Sequence, residues 1–397
     1  MPKKSKKTNI KIKKNSFYYV IVSIAIIICV VVVAIIIRMR DSSVKPPEVR
    51  EVTETTELRS LTVTFIDVGQ GDAILINFPD DKYMLIDGGK GNKTNEQALD
   101  KYLTVDGKKI TLDYVVATHP DEDHVGSLDY VYENYDVRYS YRPYVLSGYS
   151  DAAKFPKNFN DGVNINNNTK AYYDYLKGVN DKTPENWEFF TDKSGFSNSI
   201  SFEGEEYVYT VDFAMPYIKS LDDYSEFKDP NDFSAIITVE YLGKKIMFTG
   251  DIGNQAKNGS EKAFVDTAGK GDKSEYDCDV LKVAHHGSQY SSTKEFLDIV
   301  KPEFAVISCG VGNSYKHPTK DALDNLSAAL MKAGDSETSR LYRTDLQGSV
   351  VMKILSGGRI NFSVETNEND EYMFTIGEEV VDWREEIERE KSKARAA

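Results

Sequence analysis

Residues 118–124 read Thr-His-Pro-Asp-Glu-Asp-His, which sets His119 and His124 around Asp121 and Asp123. The stretch follows an apolar strand candidate, Leu112–Ala117. It precedes Val125–Tyr135, where apolar residues recur at three- and four-residue steps as in an amphipathic helix. The cluster therefore falls on a strand-to-helix loop, where several side chains can be aimed at one point. Imidazole nitrogens and carboxylate oxygens so grouped suit a divalent ion, whereas a single His at a strand end is usually a hydrogen-bonded core residue. Alone, the same segment also describes a solvated acidic turn.

Two later strand candidates end in the same way. Lys245–Thr249 runs into Gly250-Asp251, and Val280–Ala284 runs into His285-His286-Gly287-Ser288. Singly, Asp251 is a turn aspartate and the His pair a hydrogen-bonding turn. If the three strand ends share one edge, their ligands converge where catalytic groups are commonly built. All 5 histidines fall in Thr118–His124, in the His pair and in a further segment, Tyr-Lys-His-Pro-Thr, which holds His317.

Further strand candidates are Leu61–Val68, Ala73–Phe78, Tyr83–Ile86, Ala235–Tyr241, Phe304–Ser308, Ser349–Leu355 and Arg359–Val364, with helices over Thr293–Val300 and Asp321–Ala333. Many strands with interspersed helices predict an α/β fold in which two facing sheets carry helices outside, a four-layer αββα sandwich. This hydrolase-like domain spans 61–364. Residues 136–230, rich in Tyr, Asn, Asp and Lys with weak periodicity, read as an insertion, either a solvated elaboration or a lid whose aromatics contact substrate. Residues 365–397 read as a charged, solvated tail.

Toward the N-terminus, Phe17–Ile37 holds no charge and is dense in Ile and Val, long enough at about 1.5 Å per residue to cross a bilayer. Seven lysines lie in the basic segment 1–16, and only Arg38 and Arg40 follow closely. The positive-inside bias then predicts a single-pass cell-membrane anchor with a cytoplasmic N-terminus and an extracytoplasmic domain. The apolar run exceeds a signal-peptide core, and no small-residue cleavage site follows it. Residues 38–60, with a Pro pair among charged and hydroxylated residues, read as a stalk.

The 3 cysteines of the 397-residue chain are too few and too scattered for a disulfide scaffold or a structural zinc cluster. Of 49 basic residues, 9 lie in 1–40, which holds no acid, so the rest carries 40 bases against 63 acids, a net of −23. Such a surface repels polyanions at long range and argues against binding of nucleic acid through the whole surface, while leaving room for a local basic track on one face.

In motif order, THPDEDH, FTGD and HHGS resemble the metallo-β-lactamase superfamily, in the version carried by DNA-internalisation competence proteins (ComEC type). The opening FIDVGQGDAILI, MLIDGG, NDFSAII and the late HPT are similar to that family's hydrolase domain. The resemblance covers about Leu61 to Val364 apart from the insertion. It implies one or two divalent ions, with His119 and Asp121 on one and Asp123, His124 and one of His285 or His286 on the other, Asp251 bridging. Position directly after the strand favours His285. His317 would contact phosphate or protonate the leaving group.

Asp121 stands where the superfamily more often has His, and a further His expected before the Thr-Gly-Asp strand is replaced by Asn231, Asp232 and Ser234. More carboxylate and less imidazole hardens the site, which admits Mn(II) beside Zn(II) and single-ion occupancy. Asp123 would orient the attacking water or take its proton. Backbone N–H groups around Gly287 and Ser288, with Asn231 and Ser234, would face substrate. The sequence thus predicts a membrane-anchored phosphodiesterase or nuclease, acting on a phosphodiester such as single-stranded DNA, alone or within a larger membrane assembly. Two alternatives stand beside it: a hydrolase for a small extracellular or cell-wall phosphodiester, and a non-catalytic binding module on the same fold.

Overall fold

Short runs such as Leu-Thr-Val-Thr-Phe, Ile-Leu-Ile-Asn and Tyr-Met-Leu-Ile, bounded by Asp, Gly and Pro, form strands of 4 or 5 residues that are buried along most of their length. Nearly continuous burial is the mark of a sheet covered on both faces. The computed structural model describes residues 60–202, 205–255, 258–332 and 341–365. The membrane segment and stalk expected before Ser60, and the tail beyond Glu365, lie outside the described residues. Among the described residues no helix is long and apolar enough to cross a membrane.

In chain order the strands are β1 (Leu61–Phe65), β2 (Ile74–Asn77), β3 (Tyr83–Ile86), β4 (Thr104–Val105), β5 (Lys108–Lys109), β6 (Leu112–Val116), β7 (Val137–Arg142) and β8 (Trp187–Phe189). They continue with β9 (Gly195–Phe202), β10 (Glu205–Phe213), β11 (Ile237–Tyr241), β12 (Lys244–Phe248), β13 (Val280–Lys282), β14 (Phe304–Ile307), β15 (Leu341–Arg343), β16 (Val350–Ile354) and β17 (Ile360–Val364). One sheet has the order β17-β16-β1-β2-β3-β6-β7-β8 and the other β15-β14-β13-β12-β11-β10-β9, while β4 and β5 form a separate hairpin.

Each sheet is antiparallel over one part and parallel over the other. In the first, β3, β6, β7 and β8 run parallel. In the second, β12 to β15 do. Parallel neighbours require crossovers. Helices Lys93–Tyr102, Leu128–Asn134 and Lys170–Lys182 supply them in the first sheet, and Ser260–Ala268, Lys294–Val300 and Lys320–Lys332 in the second. Helix Leu128–Asn134 packs on Lys170–Lys182, and Lys294–Val300 packs on both of its counterparts. Ring pairs join the sheets face to face: Phe65 with Phe248 at 6.1 Å, Phe78 with Tyr209 at 4.5 Å, and Tyr114 with Phe196 at 4.1 Å.

The stretch 136–230 is built into both sheets. It adds β7 and β8 to the outer edge of one sheet and β9 and β10 to the outer edge of the other. Its aromatics go inward. Tyr172, Tyr175, Leu176 and Val179 line the buried face of their helix at the spacing of an amphipathic stripe. The fully buried Arg142 guanidinium lies 4.3 to 4.5 Å from the rings of Phe159, Trp187 and Phe189. Tyrosine hydroxyls masked the period, because a buried tyrosine needs only one partner for its polar end. Tyr172 donates to Val145 O at 2.7 Å and Tyr224 to Phe190 O at 3.0 Å.

The loops after β1 and β3 are clamped to each other and to the loop after β6 by backbone. Asp72 N donates to Asp123 O (3.2 Å), Gly88 N to His124 O (2.7 Å) and Gly89 N to Asp72 O (2.7 Å). Gly71 makes the approach possible: at φ +141°, a Cβ there would stand 2.3 Å from Asp123 O. Gly71→Ala is expected to destabilise the fold by about 1–3 kcal/mol, the cost of such backbone strain. Chemical denaturation measures it, and an unchanged midpoint contradicts the clamp.

Candidate metal centre

Three loops meet at the carboxyl ends of the parallel strands. His119 and His124 follow β6, Asp251 follows β12, and His285 and His286 follow β13. Ala235 N donates to Thr118 O at 3.2 Å and ties the two sheets at this edge. His124, Asp251 and His286 form the centre. His124 Nε2 lies 3.3 Å from Asp251 Oδ1 and 3.3 Å from His286 Nε2, while His286 Nε2 lies 3.2 Å from Asp251 Oδ2. His119 packs its ring 4.1 Å from that of His124. His119, His124, Asp251 and His286 are all buried.

The histidine pair is turned by an unusual backbone. His285 and His286 are both left-handed, at φ 50° and 54°, a conformation that costs about 1–2 kcal/mol for each non-Gly residue. Three contacts offset it. His285 N donates to Gly250 O (3.1 Å), Ser288 N to His285 O (2.8 Å), and His286 Nδ1 bonds Ser308 O (2.8 Å). The kink sends His286 inward, with Nε2 3.6 Å from Asp123 Oδ2. His285 stays at the rim, 18 % exposed, with Nε2 3.7 Å from Asp251 Oδ2 and Nδ1 2.8 Å from Gln255 Nε2. His286, not His285, takes the inner position, since strand proximity says nothing about a left-handed turn.

Other residues singled out from sequence fall in different places. Asp123 stands at the rim, its side chain 28 % exposed. Asp121 lies further out at 39 %, with Oδ2 3.9 Å from His119 Nε2. His317 sets its ring edge-on to His285 at 5.4 Å, and Asn313 holds its backbone at both N–H and carbonyl. The expected substrate role of Ser234 and Ser288 is corrected by their bonding. The Ser234 hydroxyl accepts from Asp251 N at 2.9 Å and so positions that aspartate, and the Ser288 N–H is spent on His285 O. Gly287 O accepts from Thr319 N, and Asn231 N bonds Asp229 Oδ1.

Three functional positions were not assigned from sequence. Asp87 Oδ2 lies 2.7 Å from His124 Nδ1 and accepts from the Thr118 hydroxyl at 2.6 Å, while its other oxygen accepts from Thr118 N. Asp72 and Lys282 form a fully buried ion pair beneath Asp251. Each sits inside a quoted motif or strand, and the signal was a charge enclosed by apolar neighbours, which a lone sequence leaves open to a surface reading.

Charge states follow from these contacts. Burial works against a proton on His124, but Asp251 and Asp87 outweigh it and push its pKa well above the usual value. Burial is likewise overcome at His286 by Asp251 and by bonds to Asp123, Asp251 and Asp72. His119, with burial dominant and His124 adding to it, is held well below the usual value. Burial raises the Asp251 carboxyl, yet His286, His124 and His285 together draw it well down.

These residues fit a divalent ion. His119 Nε2 and Asp251 Oδ1 are buried with no hydrogen-bond partner, a cost that a cation removes. His119, His124 and Asp251 offer ligand atoms within 4.8 Å of one another, as do Asp123, His124 and His286. Mixed imidazole and carboxylate donors suit Zn(II) and harder ions such as Mn(II). The Asp87 bond fixes the His124 ring as an outer-sphere carboxylate does in metal sites.

A sequence model of the Metallo-beta-lactamase superfamily matches residues 66–311. The chain belongs to that superfamily. It is 24% identical over 307 residues to ComE operon protein 3 of Bacillus subtilis, covering 72% of this chain and 32% of that one. It is 26% identical over 297 residues to Competence protein ComA of Neisseria gonorrhoeae, covering 75% and 33%. The chain thus spans about a third of the length of these curated relatives. Among solved structures, the metallo-beta-lactamase fold protein YhfI from Bacillus subtilis aligns with a TM-score of 0.38 at 12% identity, covering 74% of this chain and 99% of that one.

Asp87→Asn is expected to weaken metal affinity by about 10- to 100-fold, measured by chelator competition; unchanged affinity contradicts the positioning role. The carboxylates around His124 and His286 favour a proton on either ring, so ion uptake is expected to release protons and apparent affinity to rise with pH. Calorimetry in buffers of different ionisation enthalpy is expected to show proton release on binding, and none would contradict these charge states.

Proposed function

We propose that this chain is a membrane-anchored, extracytoplasmic metal-dependent phosphodiesterase. The supporting observation is the overlap of two ligand groups on His124, His119–His124–Asp251 and Asp123–His124–His286. The inner members are buried, and the cluster meets solvent at Asp121, Asp123 and His285. An ion held there would supply Lewis acidity and lower the pKa of a coordinated water to about 7. The carboxylate of Asp123, at the solvent side and bonded toward His286, orients the attacking water.

With Gln255 donating to Nδ1, the proton of neutral His285 sits on Nε2, the nitrogen nearer Asp251. His285 therefore serves as a hydrogen-bond donor to a phosphoryl oxygen, the part first given to the N–H of Ser288. His317, ring to ring with His285, supplies the proton for the leaving oxygen. Tyr315 stacks on His317 at 5.7 Å and remains 65% exposed, and Tyr290, in the loop after the His pair, is 49% exposed. Exposed rings at such a rim favour a substrate with a flat group beside its phosphate, and single-stranded DNA is the leading case.

The net charge of −23 outside 1–40 supports a second reading, a small extracellular or cell-wall phosphodiester that needs no basic track. The lysine-flanked segment Phe17–Ile37 supports the anchor. Protein stripped with chelator and reloaded with Mn(II) or Zn(II) is expected to cleave a chromogenic phosphodiester. Asp251→Ala is expected to lower the rate on the order of 10²–10³-fold, and equal activity refutes the assignment. Cleavage of a single-stranded oligonucleotide in the same assay separates the two substrate readings.

A further inference from the structure

Lys282 ends β13 among apolar neighbours, Val280, Leu281, Val283 and Ala284, and is fully buried. Its Nζ pairs with Asp72 Oδ2, donates to Gly250 O at 3.2 Å, and lies 3.9 Å from Asp251 Oδ1. Four overlapping groups at this site have ligand atoms close enough to share an ion. Two of them depend on Asp72: Asp72–Asp251–His286 and Asp72–Asp87–His124.

We propose that Lys282 is a built-in cation that closes the two inner groups and leaves only the outer pair, on His124, open to a divalent ion. It is a positioning residue, which decides where the ion sits and holds Asp72 and Asp251 in place before one arrives. The argument is one of charge. An ammonium bonded to Asp72 Oδ2 takes one of the two oxygens an inner ion would use, and although Oδ1 has no hydrogen-bond partner, a cation on it would meet the ammonium's charge across the same carboxylate. The second inner group is further engaged by the bond from His124 Nδ1 to Asp87. A buried lysine without such carboxylates would carry a large desolvation cost. Here the pair and the Gly250 carbonyl take up two of its three protons. The inference rests on the reading of the cluster as a metal centre.

The test is thermal melting of the chelator-treated full chain, without and with added Mn(II), for wild type, Lys282→Met and the double variant Asp72→Asn with Lys282→Met. Lys282→Met is expected to melt lower than wild type when metal-free. Its midpoint is expected to rise more on Mn(II) addition, with apparent affinity about tenfold tighter, because one unit charge has left the ion's vicinity and Asp72 is released to it. The double variant is expected to recover the metal-free midpoint and keep only the part of the extra rise that comes from the lost charge. A metal-induced rise in Lys282→Met equal to the wild-type rise overturns the proposal and leaves Lys282 a packing residue. No Mn(II) response in wild type overturns the metal-centre reading itself. Should Lys282→Met not fold, Asp72→Asn against the double variant makes the same comparison: the double variant is expected to respond more strongly to Mn(II), and equal responses overturn the proposal.

Discussion

The carboxylate of Asp251 lies between the imidazoles of His124 and His286, with its two oxygens 3.3 and 3.2 Å from their Nε2 atoms. This triangle joins segments from both sheets. It exists only because β6 and β13 end at the same edge, and because the left-handed pair at His285 and His286 turns the second histidine inward. Everything chemical at the site depends on these three groups sharing buried space without a full set of hydrogen bonds. Their mutual attraction overcomes the desolvation that burial imposes, and the free site is left as a charged cluster. A divalent cation competes with protons for the same imidazole nitrogens and satisfies the same carboxylates.

Around that triangle lies a second ring that sets orientation. Asp87 and Thr118 fix His124, the Ser308 carbonyl fixes His286, and the Ser234 hydroxyl fixes the backbone of Asp251. Lys282 and Asp72 form the floor. The glycine-bearing loop 69–72 brings Asp72 close by packing its backbone on that of Asp123. Outer-sphere partners of this kind are half of any metal site, because a ligand that can swing away binds weakly.

Much of this was legible in the sequence. The strand candidates from Leu61 to Val364 and the three helices appear with boundaries shifted by a few residues, because apolar runs bounded by turn residues state their burial directly. The meeting of Thr118–His124, Asp251 and the His pair at one edge was legible because three strand candidates ended in ligand-type residues, although each of them singly has a structural use. What was not legible depended on the third dimension. Which histidine of the pair faces inward is set by a backbone turn. Lys282 and Asp87 look like ordinary strand-end charges until the opposite sheet buries them. The strands β7 to β10 were hidden in a tyrosine-rich stretch whose polar hydroxyls blur the apolar period, although their rings fill the core.

The most direct test of the account is the anomalous difference map of crystals of the protein soaked with Mn(II), recorded at the manganese edge. The account predicts a peak ligated by His119, His124 and Asp251, alone or with a second ligated by Asp123, His124 and His286, and none against Asp72. A peak elsewhere in the molecule, or no peak at this edge of the sheets, would contradict it.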